Sequence, residues 1–233
     1  MSTYPITTSL KIVKELQWVK ETLEGSTPSS PTFAAIPTNE FVVTTRADKD
    51  NKFRKLGSAD LTRVVTSTED YDISISYAPI AIDTLFYSMI NLTGAQGNRE
   101  NSFTFLLSQQ QNSAGTLVEQ YQIARGCKIS SVTIRLVNGQ LVNIESQWLA
   151  ATASDWSTSH GLSGSPSFAG TLTATPWSSR GTGASPLTFG GNSYDVRNFS
   201  VTINHNTDRT RVLDELGTVK LQPQIRDISI DMD

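Results

Sequence analysis

The stretch KISSVTIRLVNGQLVNIESQWLA, residues 128–150, alternates apolar and polar residues with a period of two on either side of an Asn-Gly pair. Successive strand side chains point to opposite faces, so the pattern specifies an antiparallel hairpin with one dry and one wet face. Val132, Ile134 and Leu136 share one face of the first strand, and Ser131, Thr133 and Arg135 share the other. In the second strand Val142, Ile144 and Trp148 are apolar, while Asn143, Glu145 and Gln147 are polar. A two-residue turn at Asn138 and Gly139 would set Ile134 against Asn143 and mix the faces. A three-residue loop, Val137-Asn138-Gly139, instead sets Leu136 against Gln140, Ile134 against Val142 and Val132 against Ile144, with Gly139 as the left-handed residue of a bulge.

Short runs of the same type, EFVVTTR, DLTRVVT, YDISISY, SFTFLLSQ, LVEQYQIA, YDVRNFSVTIN and IRDISIDM, recur between turn residues. The fold class is therefore mainly β, an antiparallel β-sandwich or barrel. One segment is helical instead: after Pro79, the residues Ile82, Leu85, Phe86, Met89 and Ile90 form a single stripe, with Asp83 early and Gly94 placed to end the element. This predicts a short packing helix over about residues 80–93, its stripe turned to the core. Ile12, Leu16, Val19 and Leu23 also match helical spacing before GSTPSSP breaks the segment; an arm docked on a neighbour reads the same way.

The chain divides into an N-terminal arm (1–38), a first β half (39–150), a long loop rich in Ser, Thr and Gly (151–192) and a second β half (193–233). Trp156, Phe168, Trp177 and Phe189 punctuate the loop, so parts of it dock on protein, its own or another's. FVVTTRADKDNKFRKLG from Phe41 is echoed by FSVTINHNTDRTRVLDELG from Phe199, an internal duplication. The first copy runs on through YDISISYAP into the helix and the second stops at Asp233, so the second half reads as incomplete.

Chemistry is sparse. Cys127 is the only cysteine, so no intrachain disulfide forms, and the N-terminus has no secretory h-region; both fit folding in a reducing cytoplasm. His160 and His205 are isolated, without zinc spacing. Asp155, His160 and Ser163 share a loop, but Gly161-Leu162-Ser163-Gly164-Ser165 fails the nucleophile-elbow pattern. ADKDNKF begins like a calcium loop at Asp48 and Asp50, yet Phe53 and Ala59 stand where Gly and an acid are required. Glu69, Asp70 and Asp72 read as a solvated strand edge. Lys and Arg number 19 against 22 Asp and Glu, a formal net charge of −3, which offers no footprint for gripping phosphates. No apolar run approaches bilayer length. The expectation is a protein that is not an enzyme, without cofactor or metal and without a membrane partner.

Taken in order, QWVKETLEGSTPSSPTF, YDISISYAPIAIDTLFYSMI, YQIARGCKISSVTIRLVNGQLVNIESQWLA and NFSVTINHNTDRTRVLDELG followed by QIRDISIDM resemble the tail tube proteins of long-tailed bacterial and archaeal viruses. The resemblance implies a structural virion protein of the tail, assembled in the host cytoplasm. It implies hexameric rings of identical subunits stacked into a hollow tube, with sheets joined between neighbours as the inner wall. DNA would pass through without specific binding, and the other partners would be tape measure, terminator and baseplate or tip proteins. In that setting Trp18, Lys20, Glu21 and Thr22 are candidate inter-subunit arm residues. Ser131, Thr133, Arg135, Asn143, Glu145 and Gln147 are candidates to face the lumen or a neighbour, and Asn138 and Gly139 make the hairpin turn. The competing readings are a carbohydrate-binding β-sandwich module stacking sugars on Trp148, Trp156 and Trp177, and a hydrolase built on the His160 loop.

Overall fold

The computed structural model describes residues 11–36, 38–47, 51–54, 61–65, 69–79, 84–90, 101–113, 116–137, 140–164, 166–168, 187–189, 192–194, 198–210, 220–222 and 225–232. In chain order the elements begin with β1 (Lys11–Lys20), β2 (Thr32–Ile36), β3 (Thr38–Ala47), β4 (Asn51–Arg54), β5 (Leu61–Val65), β6 (Glu69–Tyr77) and α1 (Thr84–Ile90). They continue with β7 (Phe103–Ser113), β8 (Thr116–Val137), β9 (Asn143–Ala150), β10 (Thr152–Ala153), β11 (Ser167–Phe168), β12 (Leu187–Phe189) and β13 (Asn192–Tyr194). The last four are β14 (Asn198–Asn204), β15 (Asp208–Thr210), β16 (Lys220–Gln222) and β17 (Asp227–Met232).

The architecture is mainly antiparallel β, of the sandwich type, and it turns on β8. Its first half pairs with β7 and β10, and its second half with β9 and β14. One sheet thus runs β11-β2-β1-β7-β8 and the other β3-β6-β9-β8-β14-β17, with β8 common to both. Their inner faces meet in one core. Trp148 of β9, 1% exposed, lies edge-on to Phe105 and Phe103 of β7 at ring separations of 5.1 and 5.6 Å. Leu85, Phe86 and Met89 of α1 close that core, as the apolar stripe predicted.

The strand changes sheets at Gly126. Its φ is +65°, and a Cβ there would stand 2.7 Å from the Cβ of Ala151. Only glycine meets both demands without strain. A register shift between Ile129 and Ser131 adds a bulge just beyond the bend.

Residues 11–36, read from sequence as an arm with a helical stripe, are instead β1 and β2, central to the first sheet. Leu16 and Trp18 face the main core, so alternation at period two was the operative pattern there, and the matches to helical spacing were coincidental. The hairpin register also differs from the predicted one. Ile134 lies opposite Ile144, and Val132 opposite Ser146. Faces stay segregated because the slip is an even one. Asn138 and Gly139 lie outside the described residues.

The first part of the Ser/Thr-rich tract docks on its own chain. β10 pairs with β8, Ser157 pairs with Tyr121, and β11 lies parallel to β2. Under it sits a second small core of Phe33, Leu106 and Ile123, with Leu162 packed against it. Trp177 lies outside the described residues.

The bend generates a prediction. Gly126→Ala should lose about 1–2 kcal/mol to the left-handed backbone and about 1–3 kcal/mol more to the forced shift of Ala151. Urea denaturation of the purified protein measures the loss; an unchanged midpoint would show that the bend tolerates a side chain.

Candidate functional site

Two faces of the second sheet differ in kind. The inward face carries Ile73, Ile75, Ile144 and Val132, all buried. The outward face carries the six predicted hairpin residues, and the structure brings them together as three cross-strand pairs: Ser131 with Gln147, Thr133 with Glu145 and Arg135 with Asn143. The polar surface extends to both sides. Ser74 Oγ of β6 donates to Gln147 Oε1 at 2.6 Å, Ser76 Oγ donates to Asn143 Oδ1 at 3.3 Å, and Thr133 and Thr202 share a hydroxyl contact of 3.1 Å. Arg135 and Glu145 form an ion pair at 3.2 Å. Both are half exposed, so the pair adds little stability, but it neutralises the centre of the face.

The sheet ends in open edges. Among the described strands β17 pairs only with β14, and all six of its residues are exposed. Ile228, Ile230 and Met232 stand in a row at 51%, 47% and 56% exposure, continuing the apolar face of Ile203 and Val201. At the far side β3 pairs only with β6 among the described strands. The sequence pattern marks this half as incomplete, but not which strand edge lacks a partner.

The candidate arm residues divide. Trp18 packs on the core edge-on to Phe103 at 5.6 Å. Glu21 is buried, and its carboxylate accepts from Gly126 N (2.9 Å), Thr104 Oγ1 (2.7 Å) and Gly25 N (2.8 Å). Lys20 and Thr22 are exposed beside it, and the neighbouring Leu23 is 71% exposed. The same turn supplies Glu24, whose Oε2 meets the buried Lys128 Nζ at 2.8 Å while its Oε1 accepts from Leu221 N at 3.0 Å. Lys128 Nζ also donates to Leu221 O at 2.7 Å, so one clamp joins the N-terminal turn, β8 and β16.

The competing chemistries find no support here. Trp148 is enclosed in the core and offers no platform to a sugar, and Trp156 packs against the same core. Cys127 is fully buried; desolvation, reinforced by the Glu21 carboxylate, pushes its thiol well above the ordinary range. His160 Nδ1 accepts the Leu162 amide at 3.1 Å, and its ring lies edge-on to Tyr121, while Asp155 and Ser163 are exposed. Among the described residues no group of three or more His, Cys, Asp or Glu is placed to hold a metal, and no helix is long and apolar enough to cross a membrane.

The family model described as phage tail tube protein matches residues 13–233. The chain belongs to that family. Comparison with curated proteins returns no match. Tail tube proteins are structural, not enzymatic, and this one is accordingly a structural component of a virion tail, in a family of proteins that self-assemble alongside other tail proteins.

Two measurements test the interior. Glu24→Ala leaves the Lys128 cation buried without its counter-charge and should cost about 3 kcal/mol in subunit stability. Adding Lys128→Met should recover more than half of that loss; additive losses would show that the ion pair does not couple the two residues. Separately, because its pKa is raised, Cys127 should react with a thiol reagent at pH 8 only as fast as the subunit unfolds. Rapid labelling of folded protein would contradict its burial.

Proposed function

We propose that copies of this tail tube protein join edge to edge, β17 of one to β3 of the next, close into hexameric rings and stack into the hollow tube through which the viral genome passes. The observation that carries this reading is the open β17 edge with its exposed row of Ile228, Ile230 and Met232. An unpaired, apolar strand edge is a template for another chain. Fully burying an Ile or Met side chain contributes about 1.5–3 kcal/mol, and each of these three is about half exposed.

Strand parity supports a ring. Every neighbouring pair in β3-β6-β9-β8-β14-β17 is antiparallel, and the strands are six, so β3 and β17 run in opposite directions. Copies related by a rotation therefore meet β17 to β3 in the antiparallel sense, with polar faces on the same side. Repeating one such heterologous contact around an axis closes a ring.

In that ring the face of Ser131, Thr133, Arg135, Asn143, Glu145 and Gln147 lines the lumen. Its hydroxyls, amides and internally neutralised Arg135–Glu145 pair suit a surface that DNA passes without being held. Lys20 and Thr22, exposed on the N-terminal turn, are the arm residues free to meet a neighbouring subunit, whereas Trp18 and Glu21 serve the interior. Assembly takes place in the host cytoplasm, and the tube ends meet tape measure, terminator and baseplate or tip proteins.

Negative-stain microscopy of purified protein should show rings or tubes, and Ile228→Lys with Ile230→Lys should abolish them while leaving the circular dichroism spectrum of the subunit unchanged. Tubes persisting in the double variant, or wild-type protein that stays monomeric when concentrated, would overturn the reading.

A further inference from the structure

The chain contains one strand–hairpin–strand unit twice. β3 and β6 are antiparallel partners joined through the β4–β5 hairpin, and β14 and β17 are joined through the β15–β16 hairpin. The offset that lays Phe41 on Phe199 also lays Arg46 on Asn204, and the strand partners of those two are Asp70 and Asp227. β3 and β14 are four strands apart in an alternating sheet, so they point the same way and both hairpins leave from the same end.

The seat of the second hairpin is visible. Leaving β14, the chain passes over β8, where His205 N donates to Ser130 O at 2.8 Å and Thr207 Oγ1 donates to Ile129 O at 2.6 Å. It then reaches β6, where Arg209 donates to Tyr71 O and Asp72 and pairs with Asp70 at 3.6 Å. The returning strand is fastened by the Glu24–Lys128 clamp at Leu221. In sheet order that excursion spans three strands, β8, β9 and β6. β3 stands at the edge of the sheet, so the same excursion from β3 leads off the subunit.

We propose that the β4–β5 hairpin lies across the end of the neighbouring copy's sheet, over its β17 and β14, in a seat equivalent to the one that β15–β16 takes on its own chain. This rests on the edge-to-edge ring proposed above and adds a second contact to it. Charge complementarity selects the occupant. The first hairpin carries Lys52, Arg54 and Arg63 by sequence. The sheet end that it meets begins β17 with exposed Asp227, which holds the place in the second unit that Asp70 holds in the first. The second unit fastens its own hairpin with the same chemistry, Arg209 against Asp70 and Asp72.

The test is co-assembly of Lys52→Cys and Asp227→Cys subunits followed by a short bismaleimide, with buried Cys127 silent. Crosslinked dimers are expected from the mixed tubes and from neither variant alone. Tubes that form normally but yield no mixed dimer overturn this inference and leave the ring intact; failure of wild-type protein to form rings at all overturns both. Because cysteine substitution can disturb the fold, a charge reversal provides a second arm: Asp227→Lys should reduce tube yield severalfold, and Lys52→Glu with Arg54→Glu on the same chain should restore it. Unchanged yield, or no restoration by the reversed hairpin, also counts against the proposal.

Discussion

The 22 residues of β8 have to belong to two sheets at once, and everything else in the subunit follows from how the strand manages it. A regular strand twists smoothly, but it cannot leave one sheet for another without a local break in its ladder. Here the break is Gly126, backed against Ala151, with the Glu21 carboxylate accepting the Gly126 amide. The bend brings Phe103 and Phe105 over Trp148, and with that contact the core has two walls. It also fixes which side of the β8–β9 hairpin is left outward. The orientation of Ser131, Thr133 and Arg135 is thus a consequence of a glycine several residues upstream.

Polar groups buried beside the bend would be a liability if any lacked a partner. Glu21 accepts three hydrogen bonds, and Lys128 is held by Glu24 and the Leu221 carbonyl. These partners come from the N-terminal turn, β7, β8 and β16, segments far apart in sequence. Apolar packing alone is indifferent to small sliding between layers, whereas a directed carboxylate or ammonium contact is satisfied in one arrangement only. The clamp therefore contributes registration: it sets where the second hairpin lies relative to the sheet end.

Much of this was legible in the sequence where a local pattern carries its own meaning. The stripe Leu85, Phe86 and Met89 gave the helix, and alternation from Val132 to Trp148 gave the wet and dry faces. The duplication from Phe41 and Phe199 proved to be a repeated strand–hairpin–strand unit. What misled was pattern without context. Leu16 and Val19 satisfy helical spacing, yet the neighbouring strand β7 decides the segment's conformation, and that neighbour lies more than eighty residues away. The even slip leaves Ile144, Ser146 and Trp148 on the inward face in either register, and Ser146, polar by type, is buried there: it accepts from Trp148 Nε1 and donates to Ile75 O. A rule that places serine outside cannot foresee a serine recruited to satisfy a buried indole. Which strand edge stays open was not legible either, since that is a property of the whole sheet.

The same edge also discriminates between ways of pairing. Two β17 strands related by a twofold axis would run antiparallel and could bury Ile228 against Ile230. In that register, however, Asp227 of each copy falls opposite Asp231 of the other, and both are exposed carboxylates. Like charges directly opposite on adjacent strands are destabilising. An isologous pair would also use up both β17 edges and leave both β3 edges bare, ending growth at two copies. In the proposed ring, pairing β17 with β3 instead sets the aspartates against a strand that carries Arg46, Thr44 and Val42 at alternate positions. It leaves one fresh edge of each kind after every addition, until the ring closes. In the ring proposed above, the two aspartates thus act less as stabilising groups than as a bar to the dimer, since a closed ring of identical subunits requires an edge that rejects its own kind while accepting its complement.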